Sequence, residues 1–260
     1  MLCRAISSAT PAKLCPNLQR SLSFWYNQRQ SHTFSVMNWQ KWTGYFQSLF
    51  HSFLKVNCPL CHRPTRREFC QDCQRQLLRC QFPQGGWLEV PAPVFVWGRY
   101  TGHLKRAIAA FKYENQPQLG KIMGQWMATA WLASPEPKPE KALVIPIPLH
   151  KDKLKQRGYN QAELLARSFC HWTEFPCQAE GLIRLKNTQA LFGLSATERQ
   201  ATLKNVFEVN PQLRKSFRHS SVLLVDDIYT TGNTVKEAIQ ALSAVKIPVS
   251  GVIALATTRL

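Results

Sequence analysis

The sequence predicts an α/β fold, a parallel sheet flanked by helices, with a small four-cysteine module ahead of it. Two buried-strand patterns carry the sheet: "ALVIPIP" over 142–148 and "VLLV" over 222–225 are unbroken apolar runs, as expected of strands covered on both faces. Helical spacing between such runs carries the crossovers, because strands that alternate with helices form right-handed parallel units. The paired Cys-x-x-Cys steps between residues 58 and 73 carry the module.

In chain order, no acid precedes Glu68, whereas Arg4, Lys13, Arg20, Arg29, Lys41 and Lys55 supply positive charge. Residues 1–36 share the composition of an organelle transit peptide, yet the simpler expectation is a disordered or non-native N-terminal extension, with Met37 as the start. Residues 37–85 are expected to hold an amphipathic helix, with apolar residues at 42, 46, 49, 50, 53 and 54, followed by the cysteine module. "QFPQGGWLEVPAP" reads as a connector. Residues 86–260 form the expected α/β domain. In it, 94–100 and 249–256 read as strands, 206–209 as strand-like, and 103–113, 119–133 and about 160–170 as helices. The loop "SPEPKPE" is marked by three prolines.

The formal charge of +18 favours polyanionic partners such as nucleic acid, anionic lipid or phosphorylated small molecules. No run of about 18 apolar residues suggests a transmembrane span, and no apolar segment suits a secretory signal. The expected location is cytoplasmic and reducing, with the amphipathic helix as the means of any peripheral membrane association.

Cys58, Cys61, Cys70 and Cys73 form two knuckles separated by eight residues. Each Cys-x-x-Cys turn presents two thiolates to one side, and two knuckles close a tetrahedral zinc site with no open position. Such a site is structural. A thioredoxin-like redox role is disfavoured, because the pairs do not sit at a strand-to-helix junction. Cys80 and the remaining cysteines read as small apolar residues.

"VLLVDDIYTTGNT" (222–234) is a strand that ends in two carboxylates and a hydroxyl-rich glycine turn. The following residues at 235, 238, 239, 242 and 245 have helical spacing. Backbone N–H groups at a helix N-terminus cradle phosphate, while carboxylates accept hydrogen bonds from a vicinal diol or hold Mg²⁺. A ribose 5-phosphate satisfies both.

The stretch resembles the phosphoribosyl-pyrophosphate motif of type I phosphoribosyltransferases. With the Cys₄ cluster, the chain resembles the ComF family (ComF/GntX-like proteins) over roughly residues 50–260. "IPIPLHKDKLKQRGYNQAELLAR" (145–167), "RLKNTQALFGLSATERQATLKNVFEV" (184–209) and "GRYTGHLKRAIAAFKY" add to the likeness. The resemblance implies a type I phosphoribosyltransferase-like parallel sheet flanked by helices, with an N-terminal Cys₄ zinc-binding module. It implies that Asp226 and Asp227 bind the ribose hydroxyls, and that Tyr229, Thr230, Thr231, Gly232, Asn233 and Thr234 wrap the 5-phosphate. The turn after Pro148, with Leu149, His150 and Lys151, would face the pyrophosphate with Mg²⁺. Arg157, Lys186 and Arg199 would lie near it, with 184–205 as a mobile lid.

The implied chemistry is displacement of pyrophosphate from an anomeric carbon by a nitrogen nucleophile, with Mg²⁺ and basic residues stabilising the leaving charge. Asp226, Asp227 and Arg157 are the candidate catalytic residues. Purine-salvage proteins of similar fold often place an acid where Thr230 stands, which disfavours hypoxanthine or guanine as acceptor. The family likeness further implies a role in competence and DNA uptake, with single-stranded DNA or other competence proteins as partners. Two alternatives stay open: a regulator that senses phosphoribosyl pyrophosphate without turnover, and a single-stranded-DNA-binding factor on a degenerate transferase fold. In the latter, Trp87 or Trp97 could stack on bases, although core packing of both is the simpler expectation.

Overall fold

The computed structural model describes residues 56–88, 92–186, 206–218 and 220–259. The expected helix up to residue 55, Arg199 and most of the expected lid lie outside the described residues.

Five strands form the main sheet: β3 (Gln81–Leu88), β4 (Val94–Arg99), β5 (Ala142–Pro146), β8 (Ser221–Tyr229) and β9 (Val249–Thr257). Their order is β3-β4-β9-β8-β5. The pairs β4–β9, β8–β9 and β5–β8 are parallel. The segment 81–88, which the sequence suggests is a connector, is instead an antiparallel edge strand on β4. Its register breaks between Gln81 and Gly86, where Pro83 and two glycines interrupt the ladder, and an edge is where a sheet tolerates them.

Successive residues of each strand alternate between two buried layers, as the two-residue pleat requires. Phe95, Trp97, Val144, Leu223, Val225, Ile253 and Leu255 join the layer beneath α2 (Gly102–Tyr113), α3 (Leu119–Ala133) and α5 (Gln161–Thr173). Val94, Val96, Leu143, Ile145, Val222, Leu224, Val252 and Ala254 join the opposite layer, under α7 (Asn233–Ala244). This two-sided cover is why the strands read as continuous apolar runs. Helices α3 and α5 approach closely at Gly124, where a Cβ would stand 2.6 Å from the Leu165 carbonyl oxygen.

Four shorter elements complete the layers. The strands β6 (Leu182–Arg184) and β7 (Phe207–Val209) pair antiparallel as a separate ribbon. The helix α6 (Pro211–Ser216) starts at an Asn210 cap whose side chain accepts from Gln212 N. Helix α4 (Lys151–Arg157) follows the strand that the prolines at 146 and 148 end. Its ends are set by His150, whose side chain accepts from Asp152 N, and by Gly158 at φ +84°.

The cysteine module holds β1 (Val56–Asn57), β2 (Pro64–Thr65) and α1 (Gln71–Leu78). Its Leu60, Phe69 and Leu77 share the buried layer of α2, α3 and α5. Trp126 of α3 stacks between Phe69 and Trp97, at ring separations of 6.0 and 5.4 Å. Trp97 is fully buried, and Trp87 meets Phe95 edge-on at 5.4 Å. Core packing accounts for Trp97, and Trp87 packs half-buried against the same core.

Candidate functional site

Strand β8 delivers its two acids at the carboxyl end of the parallel sheet, the edge at which open α/β sheets bind ligands. The acids are not equivalent. Asp227 is buried: its Oδ2 pairs with Lys112 Nζ from the end of α2, and its Oδ1 accepts from Gln161 Nε2 at 3.4 Å. Gln161 in turn accepts from Arg157 Nη1 through Oε1. Asp226 is half-buried, and its Oδ1 accepts from the Asp227 backbone N–H at 2.8 Å. No ion pair of Asp226 occurs among the described residues.

Burial, and next the charge of Asp227, push the Asp226 carboxyl well above the usual carboxylate range, against a weaker pull from Lys112. Burial also penalises the Lys112 ammonium, yet Asp227 and Asp226 outweigh that and lift it above its ordinary value. A carboxyl raised in the folded state adds stability below its unfolded pKa and loses that contribution as pH rises through the folded value. The Asp226 carboxyl therefore costs the fold stability near neutrality. Asp226→Asn is expected to raise Tm at pH 7, by about 2–4 °C per kcal/mol relieved, with the gain fading toward pH 3. Calorimetric scans across that range check it.

The segment Arg157-Gly158-Tyr159-Asn160-Gln161 explains how these groups are placed. Gly158 ends α4 in the left-handed region. Tyr159 donates its hydroxyl to the Phe111 carbonyl, which ties the turn to α2 one residue before Lys112. Asn160 caps α5 through Ala162 N at 3.1 Å and donates to the Ile147 carbonyl at 3.1 Å. That fixes Gln161 at the start of α5, facing β8.

Beside this network lies a cleft of about 440 Å³ lined by Lys112, Tyr113, Lys153, Lys155 and Arg157, without a carboxylate among its described lining. Tyr113 is 75% exposed, and the Arg157 guanidinium lies 5.6 Å from its ring centre. Burial, and then Arg184, Arg157 and Lys112, lower the Lys153 ammonium below its usual value. Mutual repulsion of this kind is what a bound polyanion would relieve.

The turn after the acids leads through Gly232 into α7. Gly232 adopts φ +82°, and a Cβ there would stand 2.5 Å from the Tyr229 hydroxyl. The Tyr229 ring is buried beneath the turn, so it supplies a floor and not an exposed contact. Thr230, Thr231 and Asn233 are exposed and Thr234 is half-buried. Thr231 Oγ1 lies 3.5 Å from Asn233 N at the start of α7. Thr257 Oγ1 donates to the Tyr229 carbonyl at 2.7 Å, which pins the strand end.

Of the other expected residues, His150 is buried and capped onto Asp152, 3.2 Å from its carboxylate. Lys151 is exposed at the start of α4. Lys186 is half-buried, and its carbonyl accepts from Arg184 Nε at 3.4 Å. Lys112, Lys153, Arg184 and Gln161 were not singled out from sequence. Gln161 lies in "IPIPLHKDKLKQRGYNQAELLAR" and Lys112 in "GRYTGHLKRAIAAFKY", so those two had a signal.

The four module thiols converge. The sulfurs of Cys58, Cys61, Cys70 and Cys73 lie within 4.8 Å of one another, while four sulfurs around zinc at about 2.3 Å stand roughly 3.8 Å apart. Local backbone sets this up: Cys58 N donates to the Arg63 carbonyl at 2.9 Å and His62 N to the Cys58 carbonyl at 2.8 Å. Cys70 Sγ accepts from Cys73 N at 3.5 Å. The Arg63 guanidinium holds the Cys61 thiol down at about 6, while burial pushes the Cys73 thiol up. The cluster is compatible with a structural zinc ion.

Comparison with known proteins fits this geometry. The family model described as "Phosphoribosyl transferase domain" matches residues 158–258, from the end of α4 through β9 and including both acids and the glycine turn. Competence protein F of Haemophilus influenzae is 29% identical over 211 residues, covering 72% of this chain and 90% of that protein. DNA utilization protein YhgH of Salmonella typhi is 27% identical, covering 71% and 83%. Competence protein ComFC of Bacillus subtilis is 29% identical, covering 71% and 70%. With the parallel sheet and the acid pair at its carboxyl edge, these likenesses support a ComF-family protein with a phosphoribosyltransferase domain.

Proposed function

We propose that the protein binds phosphoribosyl pyrophosphate across the carboxyl end of β8 and acts in competence-linked DNA uptake in the cytoplasm, with a structural zinc ion in the Cys₄ module. The observation that carries the binding reading is the adjacency of three chemically distinct groups. The glycine turn at α7 suits the 5-phosphate. The acid pair suits the ribose diol. The acid-free cleft of Lys112, Lys153, Lys155 and Arg157 suits pyrophosphate. Mutual neutralisation answers why two carboxylates can stand near a phosphate: Asp227 is paired to Lys112, and Asp226 is biased toward its neutral form.

In phosphoribosyl transfer, charge grows on the departing pyrophosphate as the anomeric carbon takes on oxocarbenium character. Lys112 and Arg157 would hold that charge in a partly buried setting, where it is stabilised more than in water. Mg²⁺ carried with the pyrophosphate would add further neutralisation, with Asp226 as the site carboxylate that has no ion pair among the described residues. The acceptor's nitrogen would form the new bond as the C–O bond to pyrophosphate breaks.

A second reading, single-stranded DNA binding, is favoured by one observation. Tyr113 stands largely exposed at the edge of the cationic cleft, and an open aromatic beside backbone-binding cations is a stacking platform.

The deciding experiment is calorimetric titration of phosphoribosyl pyrophosphate with Mg²⁺ into metal-loaded protein and into an Asp226→Asn/Asp227→Asn variant. Binding by the wild type and its loss in the variant is the expected result. A wild type that binds no phosphoribosyl pyrophosphate but binds an oligodeoxynucleotide, with loss in Tyr113→Ala, would replace the first reading by the second. Release of pyrophosphate on addition of candidate acceptors separates a transferase from a sensor.

A further inference from the structure

We propose that Cys170 and Cys177 form a reversible disulfide, a thiol modification site outside the cysteine module that staples the end of α5 to β5. The proposal stands apart from the phosphoribosyl-pyrophosphate reading.

The sequence reads both residues as small apolar side chains, seven positions apart. The fold brings them together. Cys170 occupies the last turn of α5, and the helix stops at Glu174, whose φ of +61° turns the chain back. Phe175 holds that turn against the core, edge-on to Trp131 at 5.7 Å. Cys177 then lies alongside β5 as a parallel bridge to Val144. The backbone on either side of it is fixed: Val144 N donates to the Pro176 carbonyl and Gln178 N to the Val144 carbonyl, each at 2.9 Å. Both thiols are free, and a side-chain hydrogen bond joins them. Two thiols in contact on fixed backbone meet the first requirement of a bridge.

The pair is chemically asymmetric. Cys177 is half-buried, whereas Cys170 is only 8% exposed. The hydrogen bond from Cys170 lowers the Cys177 thiol below its usual value, and Arg167 of α5 adds to that pull, against burial and the charge of Glu163. The same hydrogen bond, together with burial, raises the Cys170 thiol. Cys177 is thus the thiolate that meets an oxidant, and Cys170 is the thiol that resolves the product.

With a hydroperoxide as oxidant, the Cys177 thiolate attacks one peroxide oxygen, the O–O bond breaks, and the sulfur becomes a sulfenic acid. Cys170 then gives up its proton and bonds to that sulfur. The S–O bond breaks, and the departing hydroxide takes the proton as water. Two thiols are oxidised and one hydroperoxide is reduced. Exchange with a small dithiol reopens the bond, as befits a disulfide in a reducing compartment. The bridge lies nine residues along α5 from Gln161, about 14 Å at the α-helical rise, and so is remote from the acid pair.

The test treats the full metal-loaded chain with hydrogen peroxide at levels that release no metal. The remaining thiols are then alkylated in denaturant and mapped by mass spectrometry. Trypsin leaves both cysteines in residues 168–184, and a second cut after Glu174 separates them unless they are bridged. The expected result is an unalkylated 168–184 peptide short of two hydrogen atoms, restored by dithiothreitol. Tm of the oxidised protein should rise by about 2–5 °C. Cys170→Ser is expected to stop at a Cys177 sulfenic acid that dimedone traps, and Cys177→Ser to leave Cys170 reduced. Should either variant fail to fold, the wild-type peptide map carries the test alone. Recovery of both cysteines fully alkylated from oxidised wild type would overturn the proposal, as would a sulfenic or sulfinic acid at Cys177 without the bridge.

Discussion

Stripping the metal from the zinc-loaded protein is expected to unfold the cysteine module and to destabilise the sheet domain with it. The module has little regular structure of its own: β1 and β2 are two residues each and α1 has eight. Structural zinc in comparable small modules contributes about 10–16 kcal/mol, which equals or exceeds the roughly 5–15 kcal/mol net stability of a typical domain. The damage should spread, because Phe69 of the module stacks on Trp126, which stacks on fully buried Trp97. Arg106 of α2 also donates to the Leu60 carbonyl inside the first knuckle. Chelator titration followed by tryptophan fluorescence should show a red shift together with metal release, and Cys73→Ser should reproduce it. Purified protein that carries no zinc and keeps its Tm in chelator would refute a structural metal here.

Gly232→Val is expected to abolish ligand binding with a smaller loss of stability. The residue adopts φ +82°, and a Cβ would meet the Tyr229 hydroxyl at 2.5 Å. A β-branched residue in that region costs about 1–3 kcal/mol, so Tm should fall by several degrees and the domain should stay folded. The turn would move off the start of α7, and the amides there would no longer converge. Losing two or more amide contacts to a phosphate, each about 1.5–3 kcal/mol, corresponds to at least about a hundredfold in affinity. Adding Tyr229→Phe removes the nearest clashing atom and should recover part of the stability but little of the affinity. Affinity unchanged in Gly232→Val would move the phosphate away from this turn.

Parts of this site were legible in sequence for a physical reason. "VLLVDDIYTTGNT" carries its own geometry: an apolar run long enough only for a buried strand, a glycine where the backbone turns left-handed, and helical spacing beyond it. The two knuckles are legible on the same ground, since a Cys-x-x-Cys step sets thiolate direction within a few residues. Segment 81–88 was not legible, because its pairing partner, not its Pro- and Gly-rich composition, makes it a strand. Helix α4 was missed because six polar and charged residues around an exposed Leu154 carry no buried stripe; a His cap and a glycine stop define it.

The twin acids show the division most clearly. Strand, turn and helix around them follow from local periodicity and backbone sterics, which adjacent residues determine. Which carboxylate is committed and which has capacity to spare follows from Lys112 and Gln161. These stand 115 and 66 positions from Asp227 along the chain and meet it only when α2 and α5 pack on β8. Sequence alone determined the strand-turn-helix frame, the acid pair and the thiolate knuckles, because each is a short-range arrangement. Only the tertiary structure decided the charge pairing, the acid-free cleft and the burial of Trp97, because ionic and packing energies depend on neighbours in space.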